Sequence, residues 1–290
     1  MVVPPVAASR SLNTKRPVMS STSMFMRPFV PLYRMDMRPS KRDVDADEVR
    51  CINAVADLRT MSTNASIRID RSTLVFLTEL ENHNERPWFE AHKDRYLAAQ
   101  ANMVAFADAL LAGMRTRDNL STPSGKSSLM RIHTDQRFHK DRPRYAPRFG
   151  GRFARVKPAL RGGYFFRIQP GGRSHVTCGF MGPEPNDLRL IRQDIVHDHA
   201  TWGKILRGKD LRSHFGEMIG EELVTVPRGY AKDHPAADLL RKKQFLLRRS
   251  FTDQAVLAPD FQLEVLKTFR AVRPWFDHMT VVLTSDANGA

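Results

Sequence analysis

Between residues 131 and 145 the chain reads Arg131-Ile132-His133-Thr134-Asp135-Gln136-Arg137-Phe138-His139-Lys140-Asp141-Arg142-Pro143-Arg144-Tyr145. The basic groups Arg131, Arg137, Lys140, Arg142 and Arg144 outnumber Asp135 and Asp141, so these two acids cannot neutralise them all. A guanidinium presents a planar fork of donors that fits a carboxylate or a phosphate, so this spacing suits an anion. The reading is a pocket built from Arg131, Arg137, Arg142 and Arg144. Asp135 or Asp141 would orient those groups, or move a proton if desolvated. Tyr145 closes the run. Asn84 and Arg86, just ahead of a predicted helix, form a second patch that caps the helix or touches the ligand, with Trp88 packing in the core. Tyr164, Arg192 and Lys243 belong to the site only if the fold brings them to Arg131 and Arg137. The competing reading makes Arg137–Asp135 and Arg142–Asp141 ordinary ion pairs on a loop rim, with the other cations solvated.

The charge distribution singles out the same region. The 290 residues carry a formal net charge of +15. Residues 1–42 contribute +7, residues 43–130 contribute −3, residues 131–173 contribute +10 and residues 174–290 contribute +1. The second basic block reads as folded, so its cations must be solvated, paired or used on an anion. A nucleic-acid strand is the alternative partner, tracked by residues 131–173 with Phe138, Tyr145, Phe149 and Phe153 stacking on bases. The +8 on residues 43–290 is modest for that role, and no named nucleic-acid motif is present.

Other chemistries lack their residues. Gly125-Lys126-Ser127 ends like a phosphate-binding loop, but Leu120 stands where that motif needs glycine. His197 and His199 lie two apart on a predicted helix and point to different sides. Arg and Lys crowd His133 and His139, which opposes a divalent cation, so no metal is expected. No Gly-x-Ser-x-Gly elbow and no dinucleotide glycine fingerprint occurs, and no cofactor is expected. Whether the chain is an enzyme stays open. Two cysteines, Cys51 and Cys178, exclude a disulfide scaffold and fit a reducing, cytoplasmic setting. No run of about 18 apolar residues is present, so no membrane span is expected.

The elements that must position these residues are helical at both ends. Leu74, Phe76, Leu77 and Leu80 mark an amphipathic helix with Ser72 as a candidate cap. Asn82-His83-Asn84 interrupts it, and a second helix starts near Pro87 and carries Met103, Ala107, Leu110 and Met114 on one face. In the middle, Tyr164–Gln169 and Ser174–Phe180 read as strands joined by Pro170-Gly171-Gly172, a hairpin signal. Ser128–Thr134 is a further expected strand, with Arg131 and Asp135 on one face, and Arg152–Lys157 a weaker one. After Asn186 the pattern returns to helix, with Leu188, Ile191, Ile195, Trp202 and Leu206 on one face as far as Gly208. Further helices open at Pro235 and Pro259, and Pro274 breaks or kinks the last. Helices flanking strands, rather than alternating with them, give an α+β fold: a mostly antiparallel sheet with a central hairpin between N-terminal and C-terminal helices.

Several ordered blocks resemble the domain of unknown function 2461. They are Phe76-Leu77 with Asn82, Asn84, Arg86 and Trp88-Phe89; Arg131-Ile132, Asp135, Arg137-Phe138, Lys140-Asp141, Pro143 and Tyr145; Tyr164, Pro170-Gly171-Gly172, Gly179 and Pro183; and Pro227, Gly229-Tyr230, His234-Pro235, Leu239-Leu240 and Lys243. The resemblance spans about residues 72–285 and implies no reaction. Thr134, His139, Arg142, Arg144 and Ala146 depart from the family string in the basic block, where the pattern has Arg, Ser, Lys, Pro and Lys.

Residues 1–60 hold Pro4, Pro5, Pro17, Pro28, Pro31 and Pro39, with no sustained period before about Asp45. They read as a disordered basic tail or a mis-assigned start ahead of Met61. Residues 61–290 are expected to form a single domain. The functional expectation is recognition of a small anionic ligand bearing phosphate or carboxylate. Nucleic-acid binding and a purely structural or interaction role are the alternatives.

Overall fold

Leu74, Leu77 and Leu80 recur at helical spacing, and the first helix buries all three. The computed structural model describes residues 67–284 except 139–140 and 158–159. The readings of residues 1–60 as tail or mis-assigned start, of Cys51, and of His139 and Lys140 in the basic run lie outside the described residues.

Helix α1 (Arg71–Asn82) begins after Asp70, two residues earlier than a Ser72 cap. His92 divides the expected second helix into α2 (Arg86–Ala91), with Pro87 in its first turn, and α3 (Lys93–Arg115). Helix α3 buries Met103, Phe106, Ala107, Leu110, Leu111 and Met114 and packs against α1. By length and composition α3 is long and apolar enough to cross a membrane, although seven of its 23 residues are buried in the core. One turn, α4 (Gly125–Ser128), follows, capped reciprocally by Ser124 and Ser127.

Residues 129–134 do not form the expected strand. They make only isolated bridges, Leu129 to Gly151 and His133 to Tyr145. The reason lies in the backbone bonds: Thr134 N–H donates to Arg144 O and Ala146 N–H to Ile132 O, which folds the basic run back on itself as an irregular loop.

Strands β1 (Phe149–Ala154), β2 (Gly163–Ile168), β3 (Ser174–Phe180) and β4 (Phe245–Phe251) form one antiparallel sheet in the order β1-β2-β3-β4. The β2–β3 hairpin turns at Gly171 and Gly172, whose φ values of 79° and 69° suit glycine. Gly179 is required by contact: a Cβ there would collide with Phe245 O. Helices α5 (Pro185–His197), α6 (His199–Leu206), α7 (Lys209–His214) and α8 (Ala237–Arg241) intervene before β4. Asp198 ends α5 and caps α6 by accepting from Thr201 N–H, so the stretch read as one helix is two. Glu184 precedes α5, and Asn186 sits inside it. After β4 come α9 (Asp253–Val256), α10 (Phe261–Ala271) and α11 (Arg273–Thr284). Pro274 starts α11 rather than kinking it, where its missing N–H is harmless.

The architecture is α+β, as the pattern predicts. One sheet face carries Phe153, Tyr164, Phe166, Val176, Cys178, Phe245 and Leu247 into the core. Edge-to-face contacts lock it to the helices: Phe106 on Phe166, Phe153 on Phe269, Tyr164 on Phe276 and Phe180 on Trp275. Burial pushes the Cys178 thiol well up, which makes it an inert core group.

Candidate functional site

Alternation sends every second residue of each strand to the opposite, outer face. Register places Gly150 and Arg152 of β1, Phe165 and Arg167 of β2, His175 and Thr177 of β3, and Arg248 and Ser250 of β4 there. The four strands contain no aspartate or glutamate. Arg148, just before β1, adds its charge to Arg167. Among the described residues, no carboxylate lies within 4 Å of Arg148, Arg152, Arg167 or Arg248, whereas Arg173 is paired with Glu81 and Arg249 with Glu264.

The strain of this arrangement appears in the proton equilibria. Arg167 is pushed below the usual guanidinium range by burial, then by Arg148 and Arg248. Arg148 is lowered by burial, then by Arg142. The Nε of Arg167 is buried without a hydrogen-bond partner among the described residues. An unpartnered buried donor is costly, and an anion would relieve it. Arg248 Nε donates to Thr177 Oγ1 at 3.3 Å. His175 is 8% exposed and lies directly across from Arg167. Its pKa falls to about 4 because of burial, then because of Arg248 and Arg167, against the raising effect of the Arg173 carbonyl.

That depression links stability to pH. Between about pH 6.5 and 4 the unfolded imidazole binds a proton that the folded one refuses, so stability rises with pH through this window and is flat above it. Acidifying from pH 7 to 4 should remove up to about 3 kcal/mol through His175 alone. Urea unfolding of His175→Asn across that range should show a correspondingly shallower slope, and an unchanged slope would refute the assignment.

The residues singled out from sequence are placed differently. Arg131, Asp135, Asp141, Arg142 and Arg144 are exposed. Arg137 is 82% exposed and held by Asp135 through two bonds, Nε to Oδ1 at 3.0 Å and a second nitrogen to Oδ2 at 2.8 Å. These side chains lie on the solvent-facing side of the loop, and the charge of Arg142 acts on Arg148 beside β1. Arg86 is exposed beside Glu90 at 3.9 Å. Tyr145, Phe149 and Phe153 are core rings with 3%, 3% and 0% exposure, so they cannot stack on bases; Phe138, at 77%, can. Arg192 donates to the Leu240 and Lys242 carbonyls, and Lys243 is exposed. Gly125 donates its amide to Asp108 Oδ1 at 2.5 Å, so this amide is already taken by an acid. Among the described residues no group of His, Cys, Asp or Glu is arranged to hold a metal ion.

Asn84 and Tyr145 have a structural role that the pattern does not reveal. Asn84 Nδ2 donates to the carbonyls of Leu80 and Tyr145, and Tyr145 N–H donates to Asn84 Oδ1. The Tyr145 ring stacks on Phe89 at 4.0 Å. One amide side chain thereby pins the 131–145 loop to α1 and α2. Asn84→Ala should cost about 1–3 kcal/mol by leaving those backbone groups unpaired. It should also make the loop cleave faster under limited proteolysis, and an unchanged cleavage rate would contradict the clamp.

Tyr164 faces the core side, away from Arg167. Its hydroxyl donates to Asp118 Oδ2 at 2.5 Å, and burial followed by that bond raises its pKa strongly. Asp118 also meets Arg155 at 3.0 Å and Arg273 at 2.6 Å, and Arg155 reaches Asp277 at 3.3 Å. This network is internally neutralised, two acids against two bases, and ties α11 to the sheet.

The family model described as "Conserved hypothetical protein (DUF2461)" matches residues 72–278. The chain belongs to this family. The match covers the whole sheet, so the acid-free outer face lies inside the DUF2461 region. Neither the curated proteins nor the solved structures yield a match to this chain.

Proposed function

We propose that this DUF2461 protein recognises an anionic, phosphate-bearing ligand on the outer face of its sheet, with Arg148, Arg167 and Arg248 as the binding groups. The observation that carries the reading is the buried, unpartnered Nε of Arg167 inside a field of like charge. A protein gains nothing in stability by holding cations together without acids, whereas a bound anion converts their repulsion into attraction. Arginine on a strand is also better fixed than arginine on a loop, so the fork geometry is prepared before binding. The loop around Arg137 contributes an outer rim through Arg142, whose charge acts on Arg148.

Calorimetric titration with inorganic phosphate tests this directly. Saturable millimolar or tighter binding that raises the melting temperature is expected, since a ligand specific for the native state stabilises it by mass action. A gentle dependence on salt marks a single-anion site, and a steep one marks a nucleic-acid track. Absence of binding and of any thermal shift would sink the proposal.

A further inference from the structure

The anion reading leaves open which anion the face prefers, and His175 bears on that choice. A carbonyl oxygen only accepts, so the 3.1 Å contact between His175 Nδ1 and Arg173 O places the ring proton on Nδ1. Nε2 then carries a lone pair while the ring is neutral. The charged groups that face the imidazole are Arg167 from β2 and Arg248 from β4, and the Arg173 guanidinium from the turn is engaged by Glu81 and Pro170 O. No carboxylate lies within 4 Å of His175 among the described residues, so nothing there favours a second ring proton. The result is an acceptor set among donors.

We propose that His175 Nε2 is the specificity-determining acceptor of this face, taking a hydrogen bond from a phosphate group that carries its own proton. This rests on the anion-binding reading above and deepens it. Arginine donors attract any anion, but a lone pair repels the acceptor-only oxygens of sulfate, a carboxylate or a phosphodiester. Inorganic phosphate and the monoanion of a phosphate monoester keep a P–OH that can point at Nε2. The occupant is thus a terminal or free phosphate rather than the backbone of a nucleic acid. A site built to pair a ligand proton rejects the analogue without one, because the analogue shields the acceptor from water and leaves it unpaired.

The test is isothermal titration of the full chain at pH 7 and fixed ionic strength with inorganic phosphate, sulfate and dimethyl phosphate. Phosphate should bind about tenfold tighter or more than either analogue. His175→Asn keeps a donor for Arg173 O but leaves no acceptor at the Nε2 position, since its Oδ1 sits closer to the backbone, and His175→Phe removes both; thermal melts identify which variants are folded. In each folded variant the preference should collapse to about twofold while sulfate still binds. Equal wild-type affinities, or a preference that survives both substitutions, would overturn the inference and leave the anion-binding face intact. Failure of wild type to bind all three anions at millimolar concentration would overturn the face itself, and the inference with it.

Discussion

Asp118→Ala should destabilise the protein by about 3–5 kcal/mol, the cost of stranding buried cations when one partner of an interior ion pair is removed. The Asp118 side chain is 4% exposed and that of Arg155 fully buried. Arg155 would keep Asp277 and the Arg161 carbonyl, while Arg273 and the Tyr164 hydroxyl would lose their nearest acceptor. Urea unfolding should show the loss, and the melting temperature should fall by about 10 °C. Asp118→Asn, which keeps the shape without the charge, should lie between the two. A loss below about 1 kcal/mol would mean that water reaches the network and screens it.

Replacing Arg167 by Met should have opposite effects on binding and folding. Phosphate affinity should drop at least about tenfold, because a charge-assisted bond to a prepared donor is lost. Stability without ligand should hold steady or rise, since Arg167 is half-buried among like charges with its Nε buried and unpaired among the described residues. Arg137→Met is the matched control: it removes an exposed cation already held by Asp135 and should leave binding almost unchanged. If Arg137→Met abolished binding and Arg167→Met did not, the loop rather than the sheet would be the site.

The contrast between those two arginines shows what the sequence made legible. The central hairpin, the helices at both ends and the α+β class follow from periodicity and from Pro170-Gly171-Gly172, and they stand in the structure. Phe245–Phe251 escapes a periodicity reading, because Phe-Leu-Leu-Arg-Arg-Ser-Phe does not alternate cleanly: Leu246 is buried on the outer side and Arg249 turns inward to Glu264 and Thr268. With that strand went Arg248. The density of charge along residues 131–145 drew attention to a loop, where neighbouring cations can spread into water at little cost. Charges from three distant segments meet only through strand register, which no local window reports. One signal was available in composition: residues 149–180 hold arginines and a histidine but no acid at all. The outer rings of the supposed stacking platform failed for a related reason, since Tyr145, Phe149 and Phe153 alternate into the core.

Strand β4 has a further consequence. Sheet order follows chain order, yet β3 and β4 are separated by the four helices α5 to α8, while β1, β2 and β3 are joined by short connections. The first three strands can zip together locally, whereas the fourth must wait for a long detour to close. Since Arg248 arrives with that final strand, a nascent chain stopped before residue 245 lacks a complete cationic face. Ligand capture therefore reports that the last edge has docked, and phosphate added during refolding should trap finished molecules without speeding the early meander.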